Sequence, residues 1–334
     1  MFEQYKESMK EIETWWKREN EKPCLIHGKR KPDIPIKNIN GNFFWPEDSR
    51  NPDIDGLINY WISEIESAEY YDTTLPAIPH LYGSRGTPMT MAFYLGGKVI
   101  LKEDTVWVDP IITKWENFEI KFDENNYWWK QSLILLKKSL EKANGKYFVW
   151  LPDFGDALTC FSLLRGTEKL LWDIIENKEA IIEARDKFIN LWKTYHSECW
   201  NLYKNYCPGD MSWLVWAPGK TYACQCDFST MLSPSLFTEL VVPEIEQIGK
   251  YLDFIIWHLD GQDEIKHLET LLSLPEVKAI QWVPGAGKPT AVNNIPMLKR
   301  IQERKKSLVV YAADEKERDI LINELQPNGL LICY

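Results

Sequence analysis

From residue 75 onward, short apolar runs alternate with longer stretches whose apolar positions recur at helical spacing. The runs are Leu75 to His80, Tyr147 to Leu151, Ser212 to Trp216, Asp253 to Trp257, Val277 to Trp282, Leu308 to Tyr311 and Leu330 to Cys333. Helices are predicted over 127–143, 157–175, 177–204, 263–273, 292–304 and 315–325. Another opens at Ser233-Pro234, with Ser as N-cap and Pro in the first helical position. The runs are apolar along their whole length, as strands buried on both faces are. Strand and helix in strict alternation call for a parallel sheet covered by helices. A doubly wound sheet shares the pattern, but its Gly-x-Gly-x-x-Gly turn after the first strand is absent. The number of units and the length favour a closed (β/α)8 TIM barrel.

The first part of the chain is less regular. Residues 1–22 read as an amphipathic helix carrying Trp15 and Trp16, stopped by Pro23. Residues 30–52 are polar and rich in Pro, Asn and Gly, an irregular lid-like segment. A helix over 53–69 follows, opened by Asp53. Alternation over 94–125 around Gly96-Gly97 predicts a hairpin. The expected division is 1–74 as an N-terminal helical extension with a lid-like segment, and 75–334 as the barrel, in one structural domain.

Composition narrows the function classes. The 334 residues are 45% hydrophobic and 26% charged, with a net charge of −10. No basic stripe is present, which argues against nucleic-acid binding. The first residues lack a signal-peptide pattern, and no apolar run is long enough for a membrane span, so a cytoplasmic enzyme is expected. The seven cysteines are odd in number and scattered, which reads as reduced thiols.

Barrel enzymes place their chemistry at the carboxyl ends of the strands. The polar residues there are Asp153 and Asp156, Gln225 and Asp227, His258 and Asp260, Gln281, Tyr311 and Asp314, with Cys333 on the last strand. His258 and Asp260 stand two apart on a strand and project to one side. Such a pair can act as acid and base, or hold a divalent metal, or simply close a strand end as a hydrogen-bonded pair. Trp216, Trp257 and Trp282 are candidate apolar walls, and Gln225, Gln281 and Tyr311 candidate substrate contacts. Arg85, in the loop Gly83-Ser84-Arg85-Gly86, could grip a carboxylate or phosphate, or be an ordinary surface arginine. Cys224 and Cys226 are too closely spaced for a structural zinc pair. Gly285-Ala286-Gly287-Lys288 is not a phosphate loop: Trp282 stands where a glycine is needed and Pro289 where Ser or Thr is needed.

Three segments carry a family resemblance. They are Arg165-Gly166-Thr167-Glu168 with Leu171 and Asp173, the run Asp227 to Phe237 with Pro243, and His258-Leu259-Asp260-Gly261 followed by Gln281-Trp282-Val283-Pro284-Gly285. In this order they resemble the uroporphyrinogen decarboxylase superfamily, from about residue 75 to the end. The resemblance implies a (β/α)8 barrel of the uroporphyrinogen decarboxylase-like type with a deep mouth. It implies one of two chemistries: decarboxylation without a cofactor, or methyl transfer between a small substrate and a corrinoid or thiol. The methyltransferases hold zinc through a His-x-Cys pair and a later Cys. Here Asp260 stands where that first Cys would be, and Cys333 falls on the last strand. A zinc or other divalent site of His258, Asp260 and Cys333 is therefore implied.

The decarboxylases open with an arginine-bearing substrate motif, which residues 1–50 lack. The leading expectation is thus methyl transfer, with His258 and Asp260 as the metal or acid/base centre and Asp153, Asp227 and Gln281 orienting substrate. The partners implied are a small-molecule substrate and a corrinoid protein, and a homodimer is allowed. The second expectation is a decarboxylase with Arg85 as anchor and Asp227 or His258 as proton donor. The third is a non-catalytic ligand-binding barrel.

Overall fold

The computed structural model describes residues 2–31, 52–80, 89–101 and 106–334. Most of the expected lid-like segment, and Arg85 with its loop, lie outside these residues. The strands in chain order are β1 (Cys24–Arg30), β2 (Ala68–Asp72), β3 (Ala77–Ile78), β4 (Lys98–Leu101), β5 (Val106–Asp109), β6 (Phe148–Val149), β7 (Asp210–Ser212), β8 (Val215–Ala217), β9 (Thr221–Cys224), β10 (Phe254–Asp260), β11 (Val277–Val283), β12 (Ser307–Tyr311) and β13 (Leu330–Cys333). The helices are α1 (Lys6–Trp16), α2 (Ile54–Glu66), α3 (Thr90–Tyr94), α4 (Tyr127–Ala143), α5 (Ala157–Arg165), α6 (Thr167–Glu176), α7 (Lys178–Tyr203), α8 (Pro234–Leu240), α9 (Val242–Gly249), α10 (Leu268–Ser273), α11 (Ile295–Glu303) and α12 (Glu315–Glu324). Among the described residues no helix is long and apolar enough to cross a membrane.

The largest sheet runs β2-β1-β13-β12-β11-β10-β9. Every pairing in it is parallel except β1 with β2. Strands β9 to β13 are largely apolar because both faces are covered, and β12 and β13 are buried almost throughout. One row of partners crosses the sheet as His258, Gln281, Val309 and Leu331. A separate parallel pair joins β3 to β6, and β4–β5 is the hairpin expected around Gly96-Gly97.

Two expectations need correction here. The first is the closed barrel: among the described residues the strands form a mixed α/β architecture with a parallel sheet, and no closed sheet. The physical reason is visible at β9. Its outer edge does not pair with another strand's backbone. Instead the Asp210 carboxylate accepts from Thr221 N at 3.0 Å, and the Ser212 hydroxyl accepts from Ala223 N at 2.8 Å. Side chains of β7 stand in for a ladder.

The second correction concerns the run Ser212 to Trp216. It is not one strand. It folds back as the hairpin β7–β8, turning at Trp213, whose φ is 51°. The sheet strand that follows is β9. Likewise β1 was not expected as a strand, since its apolar start, Cys24-Leu25-Ile26, runs into the basic Lys29-Arg30. It pairs with β13, so part of the 1–74 stretch enters the sheet.

The helix starts follow their capping signals, but the stretch read over 157–175 breaks at Gly166 into α5 and α6, and the helix read over 1–22 is confined to Lys6–Trp16. Asn126 caps α4, Asp156 caps α5, Ser233 caps α8 and Asp314 caps α12, each through its side chain. Asp156 and Asp314, both strand-end polar residues, therefore have structural duties at helix starts.

Candidate active site

The polar residues at the ends of β6, β9, β10, β11 and β12 form two contiguous groups. The first runs across neighbouring strands. His258 Nδ1–H donates to Gln281 Oε1 at 2.7 Å, and Gln281 Nε2 donates to the Tyr311 hydroxyl at 2.9 Å. The parallel register puts His258 opposite Gln281, and Tyr311 lies two residues past Gln281's partner Val309, on the same face. Gln281 is buried, while His258 keeps some exposure. Burial holds the His258 pKa below its ordinary value, against the Gln281 hydrogen bond and the Asp260 charge. The ring is thus neutral near pH 7, with its proton on Nδ1. Its Nε2 has no hydrogen-bond partner among the described residues. The Trp213 ring packs edge-on against His258, with centroids 4.7 Å apart.

The second group is carboxylic. The Tyr222 hydroxyl donates to Asp153 Oδ1 at 2.8 Å and accepts from Gly155 N at 2.9 Å. Gln225 Nε2 reaches Asp153 Oδ2 at 3.5 Å. Gly155 has φ 77°, and a Cβ there would fall 2.2 Å from the Met89 sulfur, so only glycine fits this turn. Burial pushes Asp153 up to about 6, partly offset by the Tyr222 bond. Asp227 stands at the rim and is pushed up to about 7, by burial first and then by the charges of Asp156, Asp260 and Asp153. Glu264 is buried. It accepts from Ser229 Oγ and Asp260 N, both at 3.2 Å, and burial pushes it up to about 8. These groups hold or release protons near neutrality, as acid–base sites do.

Sequence reasoning thus named Asp153, Gln225, Asp227, His258, Asp260, Gln281 and Tyr311, and the structure gathers them at one end of the strands. It missed Trp213, Tyr222 and Glu264. Tyr222 could have been found through the β-type run Thr221-Tyr222-Ala223-Cys224, but the preceding run had claimed the strand.

The tryptophan walls need correction. Trp216 lies at the opposite end of the sheet. Its carbonyl accepts from Trp16 Nε1 at 2.9 Å, and Trp16 packs on Phe254, the first residue of β10, at 4.8 Å. Trp257 faces the helix layer, where it packs on Phe237 of α8 at 5.9 Å. Trp282 is fully buried and, by strand alternation, points away from the face of Gln281. A tryptophan that does pack at the mouth group is Trp213, against His258.

The implied metal set is also not assembled. Among the described residues no three His, Cys, Asp or Glu side chains are grouped so as to hold a metal ion. His258 and Asp260 share a face of β10, but Cys333 is on β13, three strand spacings away, about 14 Å along the sheet. Burial pushes the Cys333 thiol up to about 12.

Fold and site together define an α/β protein with a parallel sheet and an ionisable cluster at its strand ends. No protein-family model matches the chain, and no curated protein matches it. Among solved structures, a methyltransferase from Methanosarcina mazei is similar, with a TM-score of 0.64 and 10% sequence identity over 98% of this chain and 92% of that one. At that identity the likeness speaks for the fold.

Proposed function

We propose that this chain is a methyltransferase-like enzyme that moves a methyl group between a small substrate and a thiol or corrinoid acceptor. The reading includes a barrel completed around the sheet, with side chains such as Asp210 and Ser212 bridging where the backbone ladder stops. One observation carries it: a neutral His258 whose Nε2 is unpaired among the described residues, beside carboxyl groups that titrate near neutrality. Such a histidine can take the proton of an acceptor thiol as the thiolate attacks the methyl group, the bond between methyl and donor breaking with its electron pair left on the donor. Gln281 would orient the ring, Trp213 would wall it, and Asp153 and Asp227 would position the donor. A thiol, a corrinoid-bearing partner protein and the donor are the reactants of this reading. The fold shared with a methyltransferase supports it.

Charge favours methyl transfer over decarboxylation. Among the described residues no lysine or arginine is bonded to Asp153, Asp227, Asp260 or Glu264. A carboxylate substrate would meet carboxyl groups there. The rival reading keeps one support, Asp227, which could protonate a carbanion. His258, Asp260 and Cys333 stand too far apart to hold one metal ion together.

The test is incubation of purified protein with methylcobalamin and a panel of small thiols, following the corrinoid spectrum and the thioether product. Thioether formation that is lost in His258→Ala is the expected result. Carbon dioxide release from carboxylic acids, with no methyl transfer, would overturn the proposal.

A further inference from the structure

Behind Asp153, between the sheet and α9, lies a small cavity. Asp156, Tyr222, Gln225, Val241, Glu244 and Trp257 are among its walls, and it leaves about 10 Å³ for the centre of a water molecule. A single water needs about that much space and two to four polar partners. Two buried carboxyl groups face it. Asp156 Oδ1 accepts from Thr159 N at 2.9 Å and the Thr159 hydroxyl also acts on this carboxyl, while its Oδ2 is buried without a hydrogen-bond partner; the Cys226 thiol, a weak donor, lies against it. Both Glu244 oxygens crowd one donor, Ala157 N, at 3.2 and 3.3 Å. Asp156 is 6% exposed and Glu244 5%.

Two bare carboxylates cannot share such a space without compensation. The facing groups do not supply it. Cys160 on α5, Cys224 on β9 and Cys226 after it are thiols held protonated by burial. Asp153 and Asp227 add negative charge. Arg185 on α7 acts on Glu244 only through space, because its guanidinium is bonded to Asp186 and to the Glu239 and Leu240 carbonyls. What remains is a proton and a donor small enough for the cavity.

We propose that the cavity binds one water molecule that bridges the Asp156 and Glu244 carboxyl groups, which share a single proton. The pair then carries one negative charge rather than two. Tyr222 and Gln225 wall the cavity and also bond Asp153, so the charge on Asp156 is felt at the mouth. Asp156 and Glu244 are positioning residues: the charge that Asp156 keeps adds to the effect of burial on Asp153, without either residue touching a substrate. The inference does not depend on the methyl-transfer reading.

Carbon-13 labelling of the aspartate and glutamate carboxyls in the full chain reads the titrations directly. Asp156→Asn removes the charge and keeps a competent N-cap, so the Asp153 midpoint should fall, by about one unit. Glu244→Gln takes the shared proton away and leaves Asp156 ionised, so the Asp153 midpoint should rise. Shifts in the same direction, or none, overturn the proposal. Val241→Ile provides a second arm that does not touch either acid. An added methyl group displaces the water and should lower Tm, whereas filling a dry cavity would raise it, and a raised Tm overturns the proposal.

Discussion

The two sides of the mouth control protons by different means. On one side, His258, Gln281 and Tyr311 sit on three neighbouring strands of regular parallel register. Backbone pairing places their side chains, and uncharged hydrogen bonds select which imidazole nitrogen carries the proton. On the other side, Asp153, Tyr222 and Gln225 meet where, among the described residues, no backbone ladder joins β6 to β9. There the side chains themselves tie the strands together, and burial with like charge sets the protonation. A regular ladder supports a fixed proton, and a side-chain junction supports a titrating one.

The largest effect expected on this contrast is loss of His258. His258→Ala should lower the methyl-transfer rate by on the order of 10²–10⁴-fold, the usual worth of a positioned general base. Circular dichroism should stay unchanged, because the ring contributes to the mouth and not to the sheet. A variant that unfolds, or that retains full rate, breaks the assignment.

The pH dependence of stability is expected next, with opposite signs on the two sides. Asp153 has a folded pKa of about 6, above its ordinary value of 3.8. It therefore favours the folded state fully below about 4, and that contribution is lost as pH rises to about 6. The histidine runs the other way. Its folded pKa is depressed, so its contribution is present above about 6.5 and is lost as pH falls. Asp153→Asn should remove on the order of 2 kcal/mol of slope between about pH 4 and 6. Calorimetric Tm against pH reads this, and an unaltered slope in Asp153→Asn would show that the carboxyl side is not governed by burial.

The difference between the sides also explains what the sequence could and could not disclose. The runs that became β10 to β13 were legible because both faces are buried and the apolar signal is unbroken. His258, Gln281 and Tyr311 were then placed by simple register. At β7, β8 and β9 the signal failed. Trp213, in a left-handed backbone conformation, turns the chain inside an apolar run that gave no turn residue. The true strand, with its Tyr222, was hidden one run later. Tryptophans misled for a related reason. Alternation decides which face Trp257 and Trp282 occupy, and once His258 and Gln281 face the mouth their neighbours cannot. Glu244 on α9 meets Asp156 at the start of α5 only in the folded chain, and a meeting of that kind leaves no local mark in the sequence.

The smallest expected effect sharpens the contrast most. Tyr311 does not touch His258. Its hydroxyl accepts from Gln281 Nε2, and so helps to hold Gln281 Oε1 toward His258 Nδ1. Tyr311→Phe removes that acceptor and nothing else of size. A lost neutral hydrogen bond costs about 1 kcal/mol, so the rate should fall by no more than about five-fold. The informative readout is the tautomer. Nitrogen-15 spectra of His258 should show the proton on Nδ1 in the unmodified protein and a mixture of the two forms in Tyr311→Phe. The Asp153 midpoint should not move, because that side is set by burial and not by the row. If the tautomer is unchanged while Asp153 shifts, the two sides are one electrostatic unit, and the separation drawn between them fails.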